Sequence, residues 1–256
     1  MTEQSCVSVE ILKEIPLFGD GDTLEGRLRN VKLKGFPDIK IYEKANFESI
    51  YLDSNEIKDY LHTPQQRVYK DHLMRIDSLF RIFFNQFGID ITNLDKAYDF
   101  IATSETGINT DWTIIPPIVE RFFIPKTDNG QFDYSKIIGE ELNEELKKRN
   151  LKINPEVYGL EYSSENGFFN LINDGSHRIH YGLENNGIGI IQISNMTPGF
   201  PYYAVPQRYN VKIFNTREEA INLPETKIHI LESPGHKDLY RLFPSGGIKS
   251  GNVRPQ

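Results

Sequence analysis

The stretch Leu171-Ile172-Asn173-Asp174-Gly175-Ser176-His177-Arg178 constrains this chain more than any other. An apolar run enters a tight Asp-Gly turn, and a polar Ser-His-Arg cluster follows at the mouth of a short helix. Ile179, Tyr181 and Leu183 carry the helical spacing forward, and Asn185-Asn186-Gly187 is a C-terminal signal. Ile188 to Ile193 then reads as a further strand. A strand that turns directly into a helix leaves the first N–H groups of that helix without internal partners, at the positive end of its dipole. That layout suits phosphate. Arg178 adds a guanidinium fork that matches phosphate oxygens, and Gly175 lets the backbone come close to a ligand. Read functionally, Gly175, Ser176, His177 and Arg178 cradle the phosphates of a nucleotide. Read structurally, Ser176 caps the helix and Arg178 pairs with a surface carboxylate. Asp174 is either a plain turn residue or a group that orients Arg178, a magnesium ion or a substrate hydroxyl.

The rest of the chain points to a mixed α/β (α+β) protein. The 256 residues are 38% hydrophobic and 25% charged, which favours a folded chain over a disordered one. With a net charge of −7, a general nucleic-acid binder is disfavoured, although a local basic patch is compatible. The one cysteine, Cys6, rules out an intrachain disulfide framework or a Cys-based zinc site. No apolar run approaches the roughly 18 residues of a membrane span, and the first residues lack a signal pattern, so a cytoplasmic protein is expected.

Along the chain, Val7 to Leu12, Ile39 to Tyr42 and Ser49 to Leu52 are strand candidates. Residues 54–87 read as helical, broken at Pro64, with a core-facing stripe through Leu73, Ile76, Leu79, Phe80, Phe83, Phe84 and Phe87 that ends at Gly88. Asn93 is expected to cap a short helix through Phe100. Together these make residues 1–104 a partly helical lobe, with a second domain over 105–256. Trp112 to Ile118 reads as a strand lying beside the turn's own strand, and residues 134–150 as an amphipathic helix. Val157 to Tyr162 and Phe168 to Ile172 flank a hairpin turn. Val211 to Phe214 and Lys227 to Leu231 are later strands, with a short helix capped by Thr216 between them. His180 sits three residues after His177, a spacing that a metal can use; without a third ligand at fixed spacing, packing is the better reading. His229 and His236 stand alone, and Pro198 to Tyr203 offers a substrate-facing loop. Lys237, Arg241 and Lys249 form a glycine-rich basic tail able to close over phosphates.

Asp174-Gly175-Ser176-His177-Arg178 resembles the Asp-Gly-x-His-Arg turn of the ParB/sulfiredoxin superfamily, over roughly residues 108–195. That superfamily includes CTP-binding partition proteins, ATP-using sulfiredoxins and free-serine kinases that use ADP or ATP. The resemblance implies a ParB/sulfiredoxin-like nucleotide-binding domain behind an N-terminal partly helical lobe. In the free-serine-kinase branch a Glu follows the first strand of the fold and acts as base toward the substrate hydroxyl. Pro117-Ile118-Val119-Glu120 is similar in position, so the resemblance gives Glu120 that role. Read structurally, Glu120 is a surface carboxylate paired with Arg121.

On this resemblance the chain is a kinase-like phosphotransferase acting on a small hydroxyl compound, with ATP or ADP (or CTP) and Mg2+ as cofactors. Glu120, Asp174 and His177 would be catalytic, and Gly175, Ser176, His177 and Arg178 would hold the nucleotide. Ser176 departs from the His common at that position in the kinase branch. It also removes the cysteine that sulfiredoxin chemistry needs. Two rivals follow from the same superfamily: a CTP- or ATP-gated switch, and a DNA-acting nuclease or defence protein. The region after 195 lacks the pattern of a DNA-binding helix-turn-helix, and no metal-nuclease carboxylate cluster stands out.

Overall fold

The computed structural model describes residues 6–33, 36–40, 42–57, 61–63, 67–123, 126–130, 148, 168–194, 207–208, 212–216 and 219. Apart from single residues, the expected helix at 134–150 and the short helix after Thr216 lie outside that set. So do the hairpin arm Val157 to Tyr162, the loop Pro198 to Tyr203, the strand Lys227 to Leu231, His229, His236 and the basic tail.

Chain order begins with β1 (Cys6–Pro16), α1 (Leu24–Leu28), β2 (Lys32–Leu33), β3 (Phe36–Lys40) and β4 (Asn46–Asp53). Next come β5 (Leu61–Thr63), β6 (Arg67–Tyr69), α2 (Lys70–Phe87), β7 (Lys96–Ser104), β8 (Asn109–Ile114) and β9 (Ile118–Phe123). After the segment at 131–167 follow β10 (Phe168–Asp174), α3 (Ser176–Glu184), β11 (Gly187–Ser194), β12 (Gln207–Arg208) and β13 (Lys212–Phe214). The result is the mixed α/β chain expected from the sequence.

Two sheets organise the described residues. A six-stranded mixed sheet runs β12-β5-β10-β9-β11-β4. β10 is antiparallel to β9 and parallel to β5, while β11 is parallel to β9 and antiparallel to β4. Glu120 therefore lies on β9, directly beside the strand leading into the Asp-Gly turn, but the single strand expected over Trp112 to Ile118 is divided: Trp112 to Ile114 belong to β8 of the other sheet, and only Ile118 belongs to β9. A three-stranded antiparallel sheet runs β1-β7-β8. The boundary read at residues 104/105 falls in the turn between β7 and β8, two paired strands of one sheet, and β4 and β5 share the large sheet with β9, β10 and β11.

Each sheet has its own core. Leu52, Ile57, Val119, Ile172, Ile188 and Ile190 pack on one face of the large sheet against Ile179 of α3. Ile76 and Phe83 of α2 pack with Val9, Tyr98, Phe100 and Ile114 of the small sheet, and Tyr181 of α3 joins them. β11 is buried along nearly its whole length, which is why Ile188 to Ile193 reads as a continuous apolar run rather than an alternating one.

Two helical expectations are corrected. Residues 61–63 and 67–69 form the short strands β5 and β6, and the helix begins only at Lys70. The helix expected from Asn93 to Phe100 is instead the start of β7. Asp90 closes a local turn there, its carboxylate accepting from the Thr92 N–H and hydroxyl at 2.8 and 2.6 Å. Beyond it Ala97 pairs with β1, and Tyr98 and Phe100 gain cross-strand partners on both β1 and β8. Tertiary pairing of β-favouring side chains overrides the cap signal. The α2 stripe ends at Gly88 as expected, in the left-handed conformation (φ 69°). Its last residues, Phe84 and Phe87, are exposed rather than core-facing.

Candidate functional site

The β10–α3 turn is built around Gly175. It takes φ 93° and serves as the N-cap of α3. A Cβ here would lie 2.8 Å from Pro117 Cβ and 3.1 Å from Arg178 Nη2. The close approach that this glycine permits is therefore to Pro117, at the entrance to β9. Gly175 has no side chain with which to cap the helix, and the first turn of α3 holds no acidic residue. Ser176 is the first residue inside the helix rather than its cap, and it is 8% exposed. The positive end of α3 is thus left for another acceptor.

His177 is 1% exposed and faces α2 rather than solvent. Its Nε2 accepts the main-chain N–H of Tyr69 at 3.1 Å, and His72 Nδ1 lies 3.2 Å from the same atom. The Tyr69 ring stacks on His177 with centroids 5.4 Å apart and meets His72 edge-on at 5.1 Å. A peptide N–H can only donate, so Nε2 of His177 is the acceptor. Burial, with His72 and His180 nearby, pushes the His177 pKa down to about 3, which keeps the ring neutral. A neutral imidazole that accepts at Nε2 carries its proton at Nδ1. That Nδ1 is buried and has no hydrogen-bond partner among the described residues.

Arg178 is 3% exposed, and its guanidinium donates through Nη1 to the main-chain carbonyl of Ile115. One of its donors thus ties α3 to the β8–β9 connection. The Asp174 main chain pairs with Ile118 across a register shift in β10. His180 is turned toward Glu184, with Nε2 and Oε1 3.7 Å apart, and His177 finds its histidine neighbour on α2 instead.

Glu120 is not brought to the turn. It is fully buried, and its carboxylate accepts from the Tyr42 hydroxyl at 2.9 Å. Val119 packs in the core that contains Ile179 of α3, so strand alternation puts Glu120 on the opposite face of the sheet. Arg121, on the α3 face, donates from Nε to Asn170 Oδ1 at 2.9 Å and lies over the Phe168 ring at 4.3 Å.

Sequence reasoning missed His72 and Tyr69. Both lie about a hundred residues before His177, so no local motif joins them. The one available signal was that His72 shares the buried face of α2 with Ile76 and Phe83, a polar ring among apolar positions.

The model of the ParB CE domain family matches residues 23–140. The matched stretch includes α2, β4, β5 and β9, and so most of the segment that sequence reasoning left unassigned. It stops before the Asp174 to Arg178 turn, which pairs with it through β9 and β5. No curated protein matches the chain, and no solved structure matches it.

Proposed function

The chain carries a ParB-like domain and belongs to the ParB-like superfamily, and from that premise we propose that it binds a nucleotide through its phosphates at the β10–α3 turn. The observation that supports this most is the buried, unpartnered Nδ1–H of His177 beside an uncapped helix N-terminus. Both are donors in search of acceptors. A phosphate is anionic at neutral pH and has several oxygens that can accept from each, and it is favoured by the helix dipole. ATP, ADP and CTP all carry that group, with Mg2+ as the counter-ion.

Phosphoryl transfer to a small hydroxyl compound is the finer form of this reading, with Glu120 as base and Asp174 toward the acceptor or metal. A buried carboxylate on the strand next to β10 supports it. The position of Glu120 behind the sheet, already hydrogen-bonded to Tyr42, favours instead a binding protein or nucleotide-gated switch that transfers nothing. A DNA-related role in the manner of the superfamily stands behind both.

Thermal-shift and calorimetric titration with ATP, ADP and CTP, each with Mg2+, tests the binding. At a ligand concentration of about 100 Kd the native state gains roughly 2.7 kcal/mol. Ser176→Asp puts a carboxylate at the first turn, where the dipole tolerates it but a phosphate does not. The expected result is stabilisation of the wild type by at least one nucleotide, lost in Ser176→Asp although that variant folds. Binding by none of the three would sink the reading.

A further inference from the structure

We propose that His72 is a positioning residue for the phosphate site: with the Tyr69 main chain, it holds His177 in the tautomer that offers Nδ1–H to a bound phosphate oxygen. The use of that donor rests on the nucleotide-binding reading, whereas the tautomer itself is a property of the free protein.

One lone pair on His177 decides the tautomer. Nε2 of His177 accepts from the Tyr69 N–H at 3.1 Å, and this one bond favours Nε2 as the unprotonated nitrogen. His72 Nδ1, 3.2 Å from the same Nε2, can hydrogen-bond to it only as a second donor that shares this lone pair, and in that role it adds to the preference. The two donors come from adjacent parts of one element: Tyr69 is the N-cap of α2, and His72 lies in its first turn. Neither is part of the Asp-Gly turn. They reach His177 from the other side of its ring, and the Tyr69 ring stacks on it at an interplanar angle of 25°. The imidazole is therefore clamped on one edge by two donors and on one face by an aromatic ring.

The opposite consequence falls on Nδ1. It carries the proton, it is buried, and nothing accepts from it among the described residues. An N–H in that state has no lone pair to offer a metal, so the site selects an acceptor and not a cation. Nδ1 is joined to the ring carbon next to Cβ, so it stays near the first turn of α3 whatever the ring rotation. It adds a directed donor to main-chain N–H groups that an oxyanion already favours. His72 touches no ligand in this scheme. It acts through His177, as an outer partner that sets the tautomer of a binding imidazole.

The test uses the full chain, labelled with nitrogen-15, and long-range proton–nitrogen NMR correlations that distinguish the two imidazole tautomers at neutral pH. The His177 signals are assigned by their loss in His177→Gln. The wild type is expected to show the Nδ1–H tautomer without any ligand. His72→Phe removes one donor while keeping a ring of similar size; it should admit the other tautomer and weaken the nucleotide that binds wild type by about three- to tenfold. His72→Asn keeps an amide donor near the position of Nδ1 and should restore both. It also covers the case in which the Phe variant does not fold.

An Nε2–H tautomer in the wild type would overturn the proposal. So would a His72→Phe protein with unchanged tautomer and unchanged affinity for ATP, ADP or CTP. If no nucleotide binds the wild type, the nucleotide reading fails on its own, and the tautomer spectra of wild type and His72 variants alone decide the role of His72.

Discussion

Gly175 is held by two independent constraints, and each has a known cost. Its φ of 93° is left-handed, a region that costs an L side chain about 1–2 kcal/mol. The space where a Cβ would go is taken by Pro117, 2.8 Å away, and overpacking of this kind costs about 1–3 kcal/mol. Pro117 is a rigid ring at the start of the central strand β9, so it gives way poorly. Gly175→Ala should therefore lose stability by the sum of the two, read as a lower urea midpoint at unchanged m-value. A loss under about 1 kcal/mol would mean that the turn relaxes easily and that Pro117 does not define it. At this scale the sequence was legible where the signal was local. Asp-Gly marked the turn, and Asn185-Asn186-Gly187 marked the end of α3. What it did not disclose was the partner. Gly175 admits Pro117 rather than a ligand, and His177 meets a histidine from a helix far back in the chain.

Among the elements, α3 is the joint between the two cores. Ile179 faces the large sheet, whereas Tyr181 reaches across to α2 and donates its hydroxyl to Asp77 Oδ1 at 3.0 Å. Burial and the Asp77 carboxylate both push the Tyr181 pKa upward, so the phenol stays a donor across the accessible pH range. Tyr181→Phe keeps the ring in the core and removes only that bond. A bond to a charged acceptor is worth about 1.5–3 kcal/mol, and Asp77 is exposed enough to regain water, which favours the lower end. The expected readout is a drop in unfolding free energy of about 1.5 kcal/mol in Tyr181→Phe, and a loss in the Tyr181→Phe/Asp77→Ala double variant smaller than the sum of the two single losses. Additive losses would show that the two side chains act separately. Elements with a strong period or strong punctuation were legible: β1, β4, α2 up to Gly88, α3 and β11. β7 was not. Asn93 offers a cap, but residues 96–104 find partners on two sides that lie 80 or more positions earlier or about ten later, and only the folded sheet supplies them. The same holds for β5, whose pairing strand β10 comes more than a hundred residues on.

On the scale of the whole molecule, the large sheet gathers strands from both ends of the described chain, and His177 sits where that sheet meets α2. Its buried neutral state therefore couples global stability to pH. In the unfolded chain a histidine takes up a proton near 6.5, whereas in the native protein His177 does so only near 3. Between these values the unfolded state binds more protons, so unfolding free energy rises with pH and falls as the solution is acidified. The contribution is fully present above 6.5 and is lost progressively down to about 3, by at most about 1.4 kcal/mol per pH unit. Carboxylates protonate in the lower part of the same window, so the wild-type curve alone does not isolate it. The difference between wild type and His177→Gln does, because other groups largely cancel and the Gln carbonyl can still accept from the Tyr69 N–H. Urea unfolding at a series of pH values should show the wild type losing ground to His177→Gln on acidification below about 6.5, with a constant offset above it. A difference that stays flat through that window would mean that His177 is charged in the native state. A charged ring has protons on both nitrogens, and its Nε2 then has nothing with which to accept from α2.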